Sequence, residues 1–291
     1  MTLADQLLQY LITGFSVGIV YGLVGLGITI VFNATGIINF AQGEFVMLGG
    51  MAAAALAANG APLWLAVILA VAATTLVALA MERLTIYQLR GASVITLIIA
   101  TIGASLVLQG GAKLLWGPDA VTLPPFSGDT PIRIGGGGIA PQRLWVMGLA
   151  TLSVVAVQLF FRFTLTGKAI RACAINRRAA RLSGISADRM VRLSFAVSAA
   201  LAALGGAVLT PVTLMQYAQG THYTLTGFLA SVLGGLGNGL GAVLGGVTIG
   251  MIESFSSGFI SSGYSKAIAL VVALIVLWWR PQGLLGRRQL Q

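Results

Sequence analysis

Three polar side chains lie close together in an otherwise apolar part of the chain. Asn39, Gln42 and Glu44 fall within six residues, and Gly36 and Gly43 permit a break in a helix at this place. A broken helix exposes carbonyl and amide groups that lipid cannot satisfy, so the segment must face protein or water. Two amides and a carboxylate in such a setting are suited to binding or gating a polar solute.

Glu253 is a second candidate for a carboxylate inside the membrane. Acidic residues at membrane depth are rare and are first treated as functional. Structural alternatives remain open for both acids. Residues 33–39 could form a loop at the membrane surface, with Glu44 as a first-turn charge stabilised by the helix dipole. Glu253 could pair with a helix end or with Lys266.

The sequence offers little for catalysis that is based on histidine, cysteine or zinc. His222 is the single histidine and Cys173 the single cysteine, which argues against a zinc cluster, a histidine-based catalytic site or an internal disulfide. The glycines of 234–241 lack the spacing of a dinucleotide-binding loop, and no P-loop is present. We therefore predict a kink in a membrane helix at 234–241, and no nucleotide site.

Composition places the chain among membrane proteins. Of its 291 residues, 57% are hydrophobic and 8% are charged, whereas soluble domains carry roughly a quarter charged residues. A helix needs about twenty mostly apolar residues to cross the hydrocarbon layer. Six stretches meet this length and two further ones are Gly-rich: 7–32, 62–81, 93–116, 144–161, 193–212 and 264–279, then 40–58 and 225–255. We predict an all-α polytopic membrane protein with about eight transmembrane helices in one domain, residues 1–291, with more crossings if the last Gly-rich stretch is split.

Charge orients these helices. Eight of the 17 basic residues lie in 162–192, where Asp188 is the one acidic residue. Cytoplasmic loops are enriched in Lys and Arg, so we predict that 162–192 and 280–291 are cytoplasmic, with the turn that contains Glu82, Arg83 and Arg90. Residues 117–142 then form an extracytoplasmic loop rich in proline and glycine, and the first helix starts outside. Because the charges lie at the ends of spans, the net charge of +10 does not indicate nucleic-acid binding.

Two Gly-rich segments, 36–50 and 234–250, occupy comparable places after the first and the sixth helix. Paired interrupted segments are typical of transporters with pseudo-symmetric halves and a site near the midplane. Glycines also recur every four residues at 14, 18 and 22, and again at 241/245 and 246/250. That spacing lets helix backbones approach closely, either within the subunit or in a dimer contact.

The basic segment has an internal pattern that orientation alone does not require. Asn176 is suited to an N-cap, the next seven residues to about two helical turns, and Gly184 to the C′ position. Ser186 is then expected to cap the next helix, with Asp188 in its first turn. The pattern predicts a short cytoplasmic helix with a small, partly apolar surface on which a partner docks.

At this point the chain resembles a known family, the LivH-type permease subunits of ABC importers for branched-chain amino acids. The resemblance covers nearly the whole length. It is carried by N-F-A-Q-G-E at 39–44, T-G-K-A-I-R-A at 166–172, A-A-R-L-S-G-I at 179–185, L-G-G-L-G at 233–237, I-E-S at 252–254 and R-P-Q-G-L-L-G at 280–286. Arg178 stands where the family usually has Glu, and Gln42 where His is common.

The resemblance implies a non-catalytic translocation subunit in a bacterial inner membrane, with the ABC importer permease fold. It implies a second homologous permease subunit, two cytoplasmic ATPase subunits that bind ATP and Mg, and an extracytoplasmic substrate-binding protein; this chain itself binds no cofactor. The residues expected to contact the ATPase and to transmit its movement are Asn176, Arg177, Arg178, Ala179, Ala180, Arg181, Leu182 and Gly184. Those expected to line the pathway or gate are Asn39, Gln42, Glu44, Asn238 and Glu253.

Other functions stay open at the level of sequence. Some members of the family handle urea, short amides or aromatic acids. A stand-alone proton-coupled carrier would also use intramembrane acids, although it would not need a capped cytoplasmic helix. A receptor-type membrane protein would bind a ligand without flux.

Overall fold

Helices make up most of the computed structural model, which describes residues 3–89, 91–128, 130–134 and 137–286. Within these residues the elements follow one another as α1 (Leu3–Thr35), α2 (Gln42–Ala58), α3 (Leu63–Leu84), α4 (Val94–Trp116), β1 (Ile132–Ile134), β2 (Gly137–Ile139), α5 (Pro141–Phe163), α6 (Leu165–Ile175), α7 (Arg177–Leu182), α8 (Ala187–Leu209), α9 (Gly220–Gly234), α10 (Gly239–Phe259) and α11 (Ser265–Trp279).

Six of the described helices, α1, α3, α4, α5, α8 and α10, are long and apolar enough to cross a membrane, and α2 and α11 are shorter apolar helices. The chain is therefore an all-α polytopic membrane protein, as predicted. α1 lies at the centre of the bundle with most of its residues buried, whereas α4 exposes a row of large apolar side chains that suits contact with lipid.

The bundle has two ends. α7, the end of α3 and the start of α4 lie at one of them, which we call the α7 end. The opposite end carries the segment between α4 and α5, which was predicted to be a loop. It is mostly irregular, but β1 and β2 form an antiparallel hairpin there that the sequence did not indicate. The prediction also covered Arg90, the Gly-rich part of 117–142 and the tail 280–291. Of these, residues 90, 135, 136 and 287–291 lie outside the described residues.

The predicted apolar stretch 225–255 is two helices, because the chain reverses at residues 235–238. α9 and α10 then pack against each other as an antiparallel pair, and a Cβ on Gly245 would meet the carbonyl oxygen of Ala230. Gly235 and Gly237 adopt φ of +102° and +93°, which L side chains rarely adopt. The expected kink at 234–241 is thus wrong: the glycines build a turn.

The glycines of α1 and α10 form a seam inside the subunit. α10 runs antiparallel to α1, and a Cβ on Gly14, Gly18 or Gly22 would lie 2.9, 2.8 or 2.9 Å from a Cα of α10. Such distances are shorter than carbon atoms tolerate, so only hydrogen fits at these positions. Of the two uses predicted for the four-residue spacing, close packing within the subunit is confirmed, and the contact buries much of α1.

Candidate functional site

The chain between α1 and α2 enters the interior of the bundle. α1 ends at Thr35, Gly36 follows with φ of +77°, and the chain stays non-helical as far as Ala41. Asn33 lies at the exposed α7 end, whereas Asn39 is fully buried. The alternative of a surface loop over 33–39 therefore holds for its beginning and is wrong for its end.

Side chains from other helices satisfy the backbone of this break. The amide of Phe40 donates to Thr101 Oγ1 of α4 at 3.2 Å. Thr224 of α9 serves two groups, since its hydroxyl accepts from the amide of Gly43 at 2.8 Å and donates to the carbonyl of Phe40 at 3.1 Å. Asn39 Oδ1 accepts from the amide of Ala41 at 3.1 Å. Polar groups freed by the break are thus paired with protein rather than with lipid, as burial requires.

A second interruption inside the bundle precedes α9. Residues 210–219 lead from the end of α8 into the bundle from the opposite end, and Thr210 and Met215 are fully buried. Met215 pairs through its backbone with Val121, which follows α4. The sequence analysis placed the second interrupted segment in 234–250. That placement is wrong, because the Gly-rich turn lies at the α7 end and not inside the bundle.

The N-termini of α2 and α9 meet where the two interruptions end. A Cβ on Gly43 would collide with the carbonyl of Gly220 and with Thr224. At 1.5 Å per residue, the start of α9 lies about 21 Å from its end at Gly234, which is beside the turn at the α7 end. The meeting point is therefore deep in the bundle, and the positive ends of two helix dipoles face each other there.

Glu44 lies at this meeting point and is fully buried. Its Oε1 accepts hydrogen bonds from Ser105 Oγ and from Gln109 Nε2, both at 2.8 Å. Its Oε2 lies against Gly220 and receives no hydrogen bond from the described residues. A side chain at position 220 would occupy the place of this carboxylate. Glu44 thus places its carboxyl group between two helix N-termini, whose dipoles favour the charged form.

Gln42 joins α2 to α8 instead of facing an open space. Its Nε2 donates to the carbonyl of Ser198 at 3.2 Å, and its Oε1 accepts from Ser198 Oγ at 2.8 Å. The amide is fully buried against Gly27, where a Cβ would collide with it. Its place in a pathway or gate stays a prediction, and the contacts describe a crosslink between two helices next to Glu44.

Glu253 lies on the other side of α9, away from Glu44. Tyr21 of α1 donates to its Oε2 at 3.0 Å, and the same hydroxyl is 3.4 Å from His222 Nε2. Thr226 Oγ1 is 3.5 Å from the other ring nitrogen of His222. The expected partner of Glu253 was a helix end or Lys266; the hydrogen bond that it makes is to Tyr21.

Asn238 contacts neither Glu44 nor Glu253. It caps α10, because its Oδ1 accepts from the amide of Gly241 at 3.1 Å, and its Nδ2 donates to the carbonyl of Leu285 at 3.0 Å. Asn33 donates to the carbonyl of Gly237 at 2.9 Å in the same turn. Asn238 therefore lies at the α7 end, where α1, the α9–α10 turn and the chain after α11 meet.

Several polar residues of the buried site were not named from the sequence. Thr101, Ser105 and Gln109 of α4 all contact the α2 segment, and their four-residue spacing on one face of an apolar helix is a signal that was available. Thr221 of α9, which accepts from Gln109 Nε2, was not marked by such a pattern, and neither were Thr224 and Tyr21.

The basic segment folds as its local pattern predicts. Asn176 Oδ1 accepts from the amides of Arg178 and Ala179, both at 3.0 Å, and so caps α7. Gly184 follows α7 with φ of +80°, as expected for a C′ glycine. Ser186 occupies the N-cap position of α8, but its side chain makes no capping hydrogen bond, which corrects the prediction for that residue.

α7 has one face on the protein and one face open. Ala180 packs with Cys173 and Ala187, and burial raises the pKa of the Cys173 thiol, which packs as a neutral, weakly polar side chain. On the open side Leu182 and Ile175 are 91% and 87% exposed. These two large apolar side chains lie outside the spanning helices, in a part of the chain that is rich in arginine.

A bundle of apolar helices that holds a buried carboxylate between two interrupted segments defines the class of protein, a polytopic membrane protein. Comparison places it further: the chain belongs to the family described as the permease component of branched-chain amino acid transport systems, whose pattern matches residues 10–277.

Individual relatives agree with this family. The chain is similar to the high-affinity branched-chain amino acid transport system permease protein LivH of Escherichia coli, with 32% identity over 79% of this chain and 80% of that protein. It is 30% identical to BraD of Pseudomonas aeruginosa, a protein of the same description, over 98% and 97% of the two chains. A more distant relative, at 26% identity, is the fructose import permease protein FruF of Bifidobacterium longum.

A solved structure supports the fold. PsaBC from Streptococcus pneumoniae, in complex with Fab, contains a chain that aligns with a TM-score of 0.52 at 16% identity, over 95% of this chain and 92% of that one. At this identity the likeness concerns the fold alone.

Proposed function

We propose that this chain is the translocation subunit of an ATP-driven importer for branched-chain or related hydrophobic amino acids, and that it has no catalytic role of its own. The observation that carries the proposal is the meeting of the α2 and α9 N-termini around Glu44, deep in a bundle whose sequence belongs to this permease family. The LivH and BraD relatives provide the cargo class.

The proposed topology has about eight crossings and two pseudo-symmetric halves. α1, the break and α2 form one unit; α8, residues 210–219 and α9 form the other. In each unit the chain leaves a long helix, turns into the bundle and begins a shorter helix there, one entering from each end. Such opposed interrupted helices are typical of inverted repeats around a midplane site. Loop charge supports an inner-membrane orientation with 162–192 in the cytoplasm and 117–142 outside.

The proposed partners follow from the family and from the surface of α7. A second homologous permease subunit completes the pathway, and an extracytoplasmic binding protein delivers the amino acid. Two ATPase subunits, which bind ATP and Mg, seat the segment from Asn176 to Gly184. Support for this docking comes from the exposed Leu182 and Ile175 and from the arginines around them.

In the proposed mechanism ATP binding moves α7 and, through the packing of α7 on α8, shifts the helices that hold the two interruptions. α8 contacts α2 directly at Gln42 and Ser198. A movement of α8 therefore changes how the α2 and α9 N-termini meet at Glu44, which serves as the gate. Energy enters only because the ATPase contacts differ between the two states of the permease.

The proposal is tested by uptake into proteoliposomes that contain this chain, its partner permease and the ATPases, with the binding protein outside and ATP inside. We expect accumulation of leucine, isoleucine or valine that stops without ATP. Uptake by this chain alone, driven by a proton gradient, would establish a secondary carrier instead. A screen of the binding protein against urea, short amides and aromatic acids decides the cargo class.

Glu44→Gln is expected to lower ATP-dependent uptake about tenfold while the subunit still assembles. The variant keeps an acceptor for Ser105 and Gln109 but loses the group whose anionic form two helix N-termini favour, an effect of up to about 2 kcal/mol. Glu253→Gln tests the other candidate carboxylate, on the far side of α9, and full uptake in that variant would remove Glu253 from the gate. Wild-type uptake rates in Glu44→Gln would remove Glu44 from the gate.

A further inference from the structure

A groove of about 500 Å³ runs along the outside of the bundle between α1 and α5. Its lining is almost entirely apolar and consists of Phe15, Met147, Gly148, Thr151, Leu152 and Val155. α5 packs mainly against α1, α6 and α8, whereas Glu44 is surrounded by α2, α4 and α9. The groove therefore lies on a different flank of the bundle from the Glu44 site, along two helices long enough to span a membrane.

A cation stands at one end of this groove. Arg143, in the first turn of α5, is followed at steps of four by Met147 and Thr151, so these side chains lie on one face of the helix. Its Nη1 donates to Ser16 Oγ of α1 at 3.3 Å, beside the groove wall. Ser16 is a neutral acceptor, and Arg143 makes no salt bridge with any described residue. The guanidinium, which is partly exposed, thus retains donors for an anion.

Arg143 lies at the depth of lipid headgroups. Two residues further on, the indole of Trp145 donates to Ser127 Oγ at 2.6 Å while its side chain is 43% exposed. Tryptophans with one polar and one apolar side are typical of the membrane–water interface. From Arg143 to Val155 the helix rises about 18 Å at 1.5 Å per residue, close to the roughly 15 Å of hydrocarbon in one leaflet. The groove therefore extends from one interface to about the middle of the bilayer.

An anion beside Arg143 would also interact favourably with the helix itself. The start of α5 is the positive end of a 23-residue helix, where anions are favoured and an unneutralised cation is disfavoured. A protein segment in this groove would have to supply an acid at one fixed position. A phospholipid carries its phosphate at the end of its acyl chains, so its chemistry matches a groove with one charged end and an apolar length.

We propose that the groove between α1 and α5 is a binding site for one phospholipid. The phosphate lies on Arg143 at the positive end of α5, and one acyl chain follows the apolar wall from Met147 to Val155. The lipid contacts both helices, so it stabilises their packing as any ligand of the folded state does. The inference does not depend on the proposed cargo, because the groove takes part in no transport step.

The test measures phosphatidylglycerol bound to the assembly purified from membranes, by native mass spectrometry across a lipid titration. We expect a saturable site whose dissociation constant rises about tenfold or more in Arg143→Gln, because a charge-assisted contact is lost. Gly148→Leu should have the same effect, since its side chain fills the groove while its Cβ meets no described atom within 4 Å. Gly103→Leu, at an equally open position of α4, is the matched control and should bind as the wild type does.

A second lipid and a second preparation define the outcomes. Diacylglycerol with the same acyl chains lacks the phosphate and should bind at least about tenfold more weakly than phosphatidylglycerol. Equal binding of the two lipids, or a wild-type dissociation constant in Gly148→Leu, would overturn the inference. Binding to the isolated subunit but not to the assembly would overturn it as well, because a protein partner would then cover the groove.

Gly148→Leu leaves the contact between Arg143 and Ser16 in place, so it decides the question even where Arg143→Gln fails to assemble. Thermal stability in detergent gives an independent readout. Phosphatidylglycerol should raise the melting temperature of the wild type and of Gly103→Leu, and should not raise that of Gly148→Leu. An equal rise in Gly103→Leu and Gly148→Leu would show that the stabilising lipid lies elsewhere.

Discussion

Gly184→Ile is expected to reduce the amino acid transported per ATP hydrolysed about tenfold or more, with the subunit still inserted and assembled. Gly184 ends α7 with φ of +80° and has open space where a Cβ would stand. The substitution therefore acts through the backbone alone. A non-glycine residue in this region costs roughly 1–2 kcal/mol, and more when it is β-branched. That strain is relieved most easily by displacing α7, which is six residues long.

Gly184→Asn is the matched control, since asparagine adopts positive φ more readily than other side chains. It should transport and hydrolyse nearly as the wild type does, while Gly184→Ile hydrolyses ATP without matching uptake. Both rates are measured on the same proteoliposomes. Equal coupling ratios in Gly184→Ile and the wild type would show that the segment from Asn176 to Gly184 does not transmit the stroke.

Gly246→Leu is expected to abolish the folded subunit. A Cβ at position 246 would overlap the backbone nitrogen and Cα of Gly22, so α1 and α10 would have to separate along their seam. Overpacking of well-packed interiors costs roughly 1–3 kcal/mol for flexible neighbours. Here the neighbour is backbone, which cannot move aside, and α1 is the centre of the bundle. We expect a cost above that range and loss of the monodisperse protein.

The control for Gly246→Leu is Gly103→Leu on α4, a helical glycine with no atom within 4 Å of its would-be Cβ. Leucine there removes the helix penalty of glycine, about 0.8–1.0 kcal/mol, and its Cβ meets no neighbour among the described residues. Thermal stability is followed by size-exclusion chromatography in detergent. A Gly246→Leu subunit as stable as Gly103→Leu would mean that α1 and α10 do not pack through these glycines.

Features that depend on near neighbours in the sequence were predicted well. The N-cap at Asn176 and the glycine at 184 act within one helical turn, so residue type and spacing suffice to locate α7. Ser186 shows the limit of the same reasoning, because position in a pattern does not ensure that a side chain turns toward the backbone. The glycine spacing in α1 predicted a close helix contact, but it could not name α10 as the partner.

Features that depend on distant residues were predicted poorly. A Gly-Asn-Gly sequence within an apolar stretch is compatible with a kink and with a reversal, and the contacts between α9 and α10 decide for reversal. The second interruption, 210–219, has unremarkable composition and becomes visible only where its backbone pairs with Val121. Glu44 was named correctly as a buried polar residue, whereas its surroundings on α4 and α9 required the folded chain.

The sequence by itself determined the class of protein, the sites of most helices and the short capped helix, since hydrophobicity and caps act locally on each segment. The tertiary structure decided which polar groups share a site. It placed Glu44 at the N-termini of α2 and α9, paired Glu253 with the hydroxyl of Tyr21, and made Asn238 the N-cap of α10 at the α7 end. The physical reason is that a buried carboxylate is defined by the dipoles and donors around it, and those come from helices far apart in sequence.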